Sequence, residues 1–498
     1  MPKDVAQADR VIVHMLNRVT FGARPAYVDR VRTAGIGAYV DEQLHPDRIR
    51  DERLEARLQD LRALAISPRA FATEYYQPMT VARQEFTATQ RLTPSPSRPP
   101  YLRWHLLPVA SVSLPGGDKP VTVLTQSAVT PEELRFQREN QQVFDELQSQ
   151  KLLRAVYSER QLQEVLTDFW FNHFNVDARK IEDRPVVVAY ERDVIRPRVF
   201  GRFRDLLEAT ALSPAMLFYL DNWLSSGPQP RGRSGLNENY GRELLELHTM
   251  GVDGGYTQRD VVEVARCFTG WTMANPHDGL GFVFKPAMHD GGEKRVLGHR
   301  IAAGRGIEDG EEVLDVLAKH PSTARFIAAK LVRRFVADDP PRALVDRVAT
   351  TFRKTDGDLR EVTRTILGSR EFMAAAANRA KAKSPFEYVA SVLRATDADV
   401  RNARPFVGTI GALGQPLYQS QPPTGYADRA DAWINTGALI GRMNFAQSVA
   451  ANGMNAAAID RPRAEAGLRR LLPDVDAEDQ SPVSRMALLL GGPAFQRR

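Results

Sequence analysis

The chain has 498 residues, of which 43% are hydrophobic and 26% are charged, a composition typical of a water-soluble globular protein and not of a disordered or membrane-embedded one. Its 67 Lys and Arg residues barely exceed its 61 Asp and Glu residues, and they are scattered among the acids, so the sequence predicts no basic surface for a nucleic acid. The length would suffice for about three domains of ordinary size or for one large helical body.

The cysteine content and the apolar runs limit the location of the protein. Cys267 is the only cysteine, which excludes an intramolecular disulfide and a cysteine-rich zinc site. The first ten residues lack the apolar segment of a signal peptide, and no stretch reaches the ~18 apolar residues of a membrane span. We therefore expect a cytoplasmic protein without a membrane span.

The N-terminal 130 residues divide into two parts. Residues 1–66 are predicted to form helices that pack on the main body, because apolar residues recur at helical spacing from Ile12 to Val19. In residues 67–130 this pattern gives way to Pro- and Ser-rich sequence, with one short strand at 121–124. We predict that 67–130 form an insertion or lid.

Helical periodicity resumes at Pro131 and continues to the end of the chain. We predict a central helical body at 131–384, which contains most of the polar motifs, and a C-terminal helical segment at 385–498. Two short strands, 281–284 and 295–298, flank a Gly-rich turn and are predicted to pair as a hairpin. The predicted fold is mainly α: a large multi-helix single body with a small β-hairpin element and a Pro/Ser-rich insertion.

One predicted helix, 237–250, concentrates amide, carboxylate and imidazole side chains. At about 100° per residue, Asn239, Glu243 and Glu246 fall on one flank of this helix, and His248 falls on the other. Its apolar face is predicted to consist of Tyr240, Leu244 and Leu247. We predict catalytic or metal-binding roles for the carboxylates of Glu243 and Glu246, with Asn239 beside them, and expect their imidazole partner to come from elsewhere.

Three histidines could supply that imidazole. His173 continues an apolar stripe among aromatic residues, His289 stands next to Asp290 on the Gly-rich turn, and His248 lies on the same helix. The predicted metal ligands are His173, Glu243, Glu246, His248 and His289, and Asp290 is a further catalytic candidate. Oxygen ligands with one or two imidazoles suit iron, manganese or zinc.

Structural roles are an equal alternative for these residues. Glu243 and Glu246 could pair with the Arg-rich segment 192–204, and Glu238 could pair with Arg242 one turn later. His248 could stabilise the end of its helix, and His173 could be a hydrogen-bonded core histidine. In the C-terminal segment, Tyr426 and Trp433 could line a pocket or merely pack.

The sequence resembles the large bacterial family called domain of unknown function 1800 over nearly its whole length. The resemblance is carried by six segments, 16–22, 166–174, 237–251, 269–271, 289–291 and 320–325. It implies a single helical domain that contains all of these motifs. It also implies association with a second, sulfatase-like family of exported proteins, but it implies no particular reaction.

Our leading hypothesis is a metal-dependent enzyme of unknown reaction that acts on a small molecule. Its site would join His173, the Glu243 and Glu246 pair and the His289–Asp290 turn, and residues 67–130 would form its lid. The alternative is a non-enzymatic helical scaffold or maturation partner of a sulfatase-like protein, in which the same polar residues only fix the packing of the helices.

Overall fold

Helices dominate the protein, which we describe from a computed structural model. The described residues are 3–89, 110–112, 121–123, 129–180, 184–228, 235–275, 280–375, 381–475 and 481–498. Within them no sheet has more than two strands, and buried apolar side chains from Ile12 to Phe495 form one continuous core. The prediction of a mainly α, single body is confirmed.

The N-terminal helices are α1 (Lys3–Val19), α2 (Pro25–Ala34), α3 (Ile36–Gln43), α4 (Glu52–Leu58), α5 (Pro68–Phe71) and α6 (Gln77–Thr89). The chain turns between α2 and α3 at Gly35, whose φ of 88° is open to glycine at little cost. Apolar side chains such as Met15, Leu16 and Val31 bury one face of this group in the core. The N-terminal helices therefore pack on the rest of the described structure.

Helices α5 and α6 lie inside the predicted insertion, so the prediction of a non-helical segment was wrong for residues 68–89. The Ser67 side chain accepts a hydrogen bond from the N–H of Ala70, and a proline occupies the first helical position, both of which favour helix initiation. Phe71 and Met79 are buried in the core. These short-range signals outweigh the Pro/Ser-rich composition of the whole segment.

Most of the remaining predicted insertion lies outside the described residues. Two short strands of it are described, β1 (Ala110–Val112) and β2 (Val121–Val123), and they pair antiparallel. The strand predicted at 121–124 is thus confirmed to within one residue.

The central helices are α7 (Pro131–Tyr157), α8 (Gln161–His173), α9 (Arg184–Ala189), α10 (Phe203–Ala211), α11 (Pro214–Tyr219), α12 (Asn239–Glu243) and α13 (Gln258–Cys267). Helix α7 starts where the sequence predicts, because Thr130 and Glu133 form a reciprocal capping box around Pro131. In α8 the apolar stripe that includes Leu162 and Val165 is buried. This stripe anchors α8 in the middle of the molecule.

The second half contains α14 (Glu308–Lys319), α15 (Pro321–Phe335), α16 (Arg342–Lys354), α17 (Leu359–Leu367), α18 (Arg370–Ala374), α19 (Pro385–Ala395), α20 (Arg404–Ala412), α21 (Thr436–Ala450), α22 (Arg461–Leu471), α23 (Pro482–Gly491) and α24 (Pro493–Gln496). Every residue of α19 is buried. Arg394 on this helix donates hydrogen bonds to the carbonyls of Gly22 and Val156, at 2.7 and 3.0 Å. The C-terminal segment is therefore joined to both α7 and the N-terminal helices.

The remaining strands are β3 (Trp271–Met273), β4 (Phe282–Phe284), β5 (Lys294–Val296), β6 (His299–Ile301), β7 (Asp399–Val400) and β8 (Ala457–Ala458). The predicted pairing of 281–284 with 295–298 was wrong, because β4 pairs with β3 and β5 pairs with β6. Leu297 and Gly298, with φ of 50° and 81°, form a tight two-residue turn between β5 and β6. A turn thus replaces the end of the predicted strand.

None of the helices in the described ranges is long and apolar enough to cross a membrane.

Candidate functional site

His173 ends α8 in a fully buried position, with 1% of its surface exposed. Its Nε2 lies 3.0 Å from the carbonyl oxygen of His248, and since that oxygen can only accept, Nε2 carries the hydrogen. Its Nδ1 then accepts a hydrogen bond from Nζ of Lys330, at 2.9 Å. Burial, followed by the positive charge of Lys330, holds the pKa of His173 well below its ordinary value. His173 is therefore neutral, with both ring nitrogens occupied.

Lys330 lies on α15 and is a functional candidate that the sequence analysis missed. The pKa of its ammonium group is lowered to about 8, mainly by burial and also by Arg333, whereas Asp428 opposes both. The sequence gives only a weak signal for it, since apolar residues Phe326 and Ile327 precede this lysine by one helical turn, whereas Arg333 and Arg334 follow it by one turn. Lys330 connects α15 to the motif of α8.

His248 is brought next to His173 by a local change in helix type. Residues 244–249 form a π-helical turn, in which the Thr249 hydroxyl donates to the carbonyl of Leu244 at 2.6 Å. The assumption of 100° per residue, which holds for an α-helix, therefore fails beyond Glu243. His248 is buried, whereas Leu247, which was predicted on the apolar face, is half-buried. Burial lowers the pKa of His248 to about 3, and its Nε2 has no hydrogen-bond partner in the described part of the chain.

Glu243 and Glu246 are half-buried, while Asn239 is exposed and donates to the carbonyl of Leu220 at 3.3 Å. Burial raises the pKa of Glu243, and the neighbouring Glu246 raises it further. Glu246 accepts a long hydrogen bond of 3.4 Å from the Tyr256 hydroxyl. Glu243 and Glu246 are thus a pair of neighbouring carboxylates at the edge of the core.

The Arg-rich segment 192–204 does not neutralise these carboxylates. Its arginines pair with other acids, namely Arg192 with Asp193, Arg196 with Glu164 and Glu191, Arg202 with Asp356, and Arg204 with Glu208 and Asp315. The alternative in which this segment pairs with Glu243 and Glu246 was therefore wrong. The predicted pair of Glu238 with Arg242 is present, at 3.3 Å.

His289 and Asp290 belong to a second buried cluster. Nε2 of His289 and Nζ of Lys294 lie 3.2 and 2.6 Å from the same carboxylate oxygen of Asp309, and all three side chains are at most 3% exposed. Asp290 pairs with the guanidinium of Arg266 at 2.7 Å. This cluster ties the Gly-rich turn to α13 and α14.

The structure thus divides the predicted site into two. The His173 and His289 clusters share no side chain, and a chain of aromatic contacts runs from His248 through Tyr240 and Phe268 to Trp271. Nowhere in the described ranges do three or more His, Cys, Asp or Glu side chains lie close enough together to hold a metal ion. The metal centre stays a prediction.

A cleft of about 60 Å³ opens beside α8, and we call it the α8 cleft. Charged groups of both signs line it, namely Lys151, Asp168, Arg334, Glu387 and Asp428. Its aromatic lining consists of Phe169, Phe171, Tyr418, Tyr426 and Trp433. Nζ of Lys151 lies 2.7 Å from Asp168, and Arg334 pairs with Glu387. The prediction that Tyr426 and Trp433 could line a pocket is confirmed.

Two asparagines of the α8 motif hold residues 415–435, which we call the roof loop, against the α8 cleft. Asn172 donates to the carbonyl of Tyr426 and accepts from its N–H, at 2.8 and 2.6 Å. Asn175 donates to the carbonyls of Ser420 and Pro422, at 2.9 and 3.0 Å. The roof loop, and not the described part of the predicted lid, therefore borders the cleft.

Comparisons with curated proteins and with solved structures found no match. A comparison with known families matched residues 14–497 to a family described as "Protein of unknown function (DUF1800)". The match covers α8, the polar segment 237–250, both buried clusters and the roof loop. By this match over nearly its whole length, the chain belongs to the DUF1800 family.

Proposed function

We propose that the protein is an enzyme that binds a small polar molecule in the α8 cleft and uses Lys330 and His173 as an acid–base pair. The observation that carries this proposal is the 2.9 Å hydrogen bond from Nζ of Lys330 to Nδ1 of His173. A lysine whose pKa is lowered to about 8 can release and regain a proton near neutral pH, whereas an ordinary lysine stays charged.

Neither Lys330 nor His173 lines the α8 cleft, but two lining residues interact with them. Phe169 lines the cleft and stacks on the His173 ring, with a centroid distance of 6.3 Å. Asp428 also lines the cleft, and its charge raises the pKa of Lys330. A ligand that shields Asp428 from Lys330 would therefore lower the pKa of the lysine further, so that filling the cleft favours release of the proton.

The lining of the α8 cleft supports a polar ligand. Ionised side chains of both signs bind carboxylate, ammonium and hydroxyl groups, and aromatic rings supply flat apolar contacts to the rest of a small molecule. The Lys151–Asp168 pair is still 11% and 23% exposed, so both groups can exchange their mutual contact for contacts to a ligand.

The test combines a ligand screen with two variants. Small amino acids, hydroxy acids and amines are screened for an increase in melting temperature, and conversion of each stabilising compound is followed by mass spectrometry. We expect a compound that stabilises the wild type and not Asp168→Asn, and that is converted by the wild type and not by Lys330→Met. Lys354→Met, which changes an exposed lysine at the end of α16, is the control and should behave as the wild type.

Two outcomes would count against the proposal. Equal conversion by Lys330→Met would remove the acid–base role of the lysine. A screen without any compound whose effect depends on Asp168 would favour the alternative that the polar residues belong to a non-enzymatic scaffold or maturation partner.

A second candidate function is binding of a divalent cation by Glu243 and Glu246. It is favoured by the raised pKa of Glu243 and by the fact that, among the described residues, no lysine or arginine nitrogen forms an ion pair with either carboxylate. His173 does not fit as a third ligand, because both of its nitrogens are occupied. A cation held by two carboxylates would keep water in its other positions, which suits manganese or magnesium better than zinc.

Elemental analysis of two variants tests this candidate. Glu243→Gln should abolish metal retention and should not destabilise the fold, because no buried arginine loses its partner. Leu244→Ala, which empties a fully buried site on the same helix, should cost about 2–5 kcal/mol of unfolding free energy and leave the metal content unchanged. Equal metal content in the wild type and Glu243→Gln would contradict the candidate.

A further inference from the structure

Seven charged side chains lie together beside the α8 cleft, three of them in its lining, and we call all seven the arginine cluster. It contains four cations and three carboxylates, namely Arg18, Arg334, Lys381 and Arg498 with Asp338, Glu387 and Asp428. Arg18 comes from α1, Arg334 from α15 and Asp338 from the turn after it, Lys381 lies shortly before α19, and Glu387, Asp428 and Arg498 belong to the C-terminal segment. The cluster therefore joins distant parts of the chain, and it has one more cation than carboxylates.

Three of the cations share the carboxylates. Arg334 and Arg498 both pair with Glu387, the latter at 2.9 Å. Lys381 lies 2.6 Å from Asp338 and 3.1 Å from Asp428. Each carboxylate is thus occupied by a cation other than Arg18.

Arg18 is left without a partner. It is completely buried, and none of its three guanidinium nitrogens has a hydrogen-bond partner in the described structure. The pKa of Arg18 is lowered to about 9, mainly by burial and also by Arg498, while Asp428 and Glu387 only partly offset this. An unpaired buried cation destabilises the folded state, so an anion bound at this position would stabilise the protein.

The α8 cleft reaches the arginine cluster. Arg334, Glu387 and Asp428 line the cleft, and they are three of the four charged groups that act most strongly on Arg18. The cleft volume of about 60 Å³ corresponds to about four or five water molecules. A phosphate or sulfate ion, or a carboxylate with the carbon atoms next to it, has about this size.

We propose that an oxyanion, the carboxylate or phosphate group of a small molecule, binds at the base of the α8 cleft and is the partner of Arg18. A guanidinium presents two parallel N–H groups to such an anion, which is the arrangement that carboxylates and phosphates favour. This proposal rests on the proposed function only in that it uses the same cleft, for which it names the substrate class. It does not depend on Lys330 and His173.

The competing explanation is a water-bridged ion pair within the protein. Oδ2 of Asp428 is also buried and without a hydrogen-bond partner, so one water molecule could connect it to Arg18. In that case Arg18 would be satisfied without a ligand, and its removal would leave Asp428 with less positive charge around it. The two explanations therefore predict opposite effects of removing Arg18.

Melting temperatures in sodium phosphate, sulfate, acetate and chloride, at one pH and one ionic strength, distinguish them. The proteins are the wild type, Arg18→Met and Arg10→Met, the last of which removes an exposed arginine from the same helix. We expect at least one oxyanion to raise the melting temperature of the wild type and Arg10→Met saturably, by about 2 °C or more. Arg18→Met should melt higher than the wild type in chloride and should not respond to that oxyanion.

The anions also identify the ligand group, since a response to phosphate and sulfate indicates a phosphate group and a response to acetate alone indicates a carboxylate. An Arg18→Met variant that melts lower than the wild type in chloride and responds equally to every anion would overturn the proposal, as would a wild type that responds to none. If Arg18→Met does not fold, Arg18→Lys is measured instead. Its oxyanion shift should fall to half or less, and an unchanged shift would overturn the proposal.

These results are independent of the acid–base pair. Equal conversion by the wild type and Lys330→Met would contradict the acid–base role but would not affect the anion response. A wild type that responds to no anion would contradict the oxyanion site but would not affect the acid–base role of Lys330 and His173.

Discussion

Nζ of Lys330 and Nδ1 of His173 lie 2.9 Å apart, so that the ammonium group of the half-buried Lys330 donates its hydrogen to a buried neutral imidazole. Burial lowers the pKa of both groups. If His173 were protonated, it would lose its role as acceptor and would place a second positive charge beside Lys330. The pair can therefore hold one positive charge but not two, so the protonation of His173 on α8 depends on the protonation of Lys330 on α15.

Replacing Lys330 by methionine should change how stability depends on alkaline pH. The pKa of Lys330 is lowered from 10.5 to about 8 on folding, so the unfolded chain binds more protons between these values, and this group makes the free energy of unfolding rise with pH in that window. Lys330→Met lacks this rise. Denaturant unfolding between about pH 8 and pH 10 should show the wild type gaining up to about 1.4 kcal/mol per pH unit relative to the variant.

Lys354→Met should remain parallel to the wild type in the same experiment, because Lys354 is exposed. A constant difference between the wild type and Lys330→Met over this range would mean that the folded structure does not perturb Lys330.

Replacing His248 by phenylalanine should reduce the acid sensitivity of the fold. The pKa of His248 is lowered from 6.5 to about 3, so below pH 6.5 the unfolded chain is protonated first and stability is lost as the pH falls. Its Nε2 has no partner among the described residues, and the ring packs against Phe174 at 5.1 Å, so a phenyl ring fits the site. Unfolding free energies from pH 7 to pH 4 should fall less steeply in His248→Phe, by up to about 1.4 kcal/mol per pH unit. Parallel curves would contradict this.

The position of the roof loop depends on a glycine next to Asn172. Gly425 has a φ of +69°, and a Cβ there would lie 2.2 Å from the carbonyl oxygen of Asn172. Gly425→Ala should therefore break the double hydrogen bond between Asn172 and Tyr426 and open the α8 cleft. Gly414→Ala is the matched control, since its φ is +102° but nothing lies within 4 Å of the added Cβ.

The control should lose only the backbone term, about 1–2 kcal/mol, and should keep the oxyanion response of the wild type. Gly425→Ala should lose more stability and should bind oxyanions at least about tenfold more weakly. Equal losses in the two variants would show that Asn172 does not position the roof loop.

The sequence predicted the helical fold wherever its signals are local. The start of α7 at Pro131 follows from Thr130 and Glu133, which lie within one turn of it, and the buried face of α8 follows from apolar spacing. The hairpin was mispredicted because 295–298 was assigned to one strand, whereas Leu297 and Gly298 form a turn. Periodicity does not distinguish these two states over four residues.

The site was only partly predictable because its chemistry depends on long-range contacts. His173 was a candidate, but its partner Lys330 is 157 positions away in the sequence. The wheel also assumed α-helical geometry, whereas the π-helical turn at 244–249 moves His248 into the core. Arg18 was not among the sequence candidates, and only the packing of the C-terminal segment shows that it is buried without a partner.

The only cysteine of the chain offers a probe of the second buried cluster. Cys267 is fully buried on α13, and burial raises the pKa of its thiol to about 12. Because the thiolate is the reactive form, a disulfide reagent should not modify the native protein near pH 8 and should react only when the surrounding structure opens.

Gly310→Ala should speed this reaction, because the added Cβ would lie 2.5 Å from the Trp271 ring, next to the cluster of His289 and Asp309. Overpacking of this kind costs about 1–3 kcal/mol, which corresponds to a reaction about 5- to 150-fold faster if the opening controls the rate. Gly281→Ala, where nothing lies within 4 Å of the added Cβ, should leave the rate unchanged. An equal rate for the wild type and Gly310→Ala would mean that Cys267 becomes accessible by an opening that leaves the contact between Gly310 and Trp271 intact.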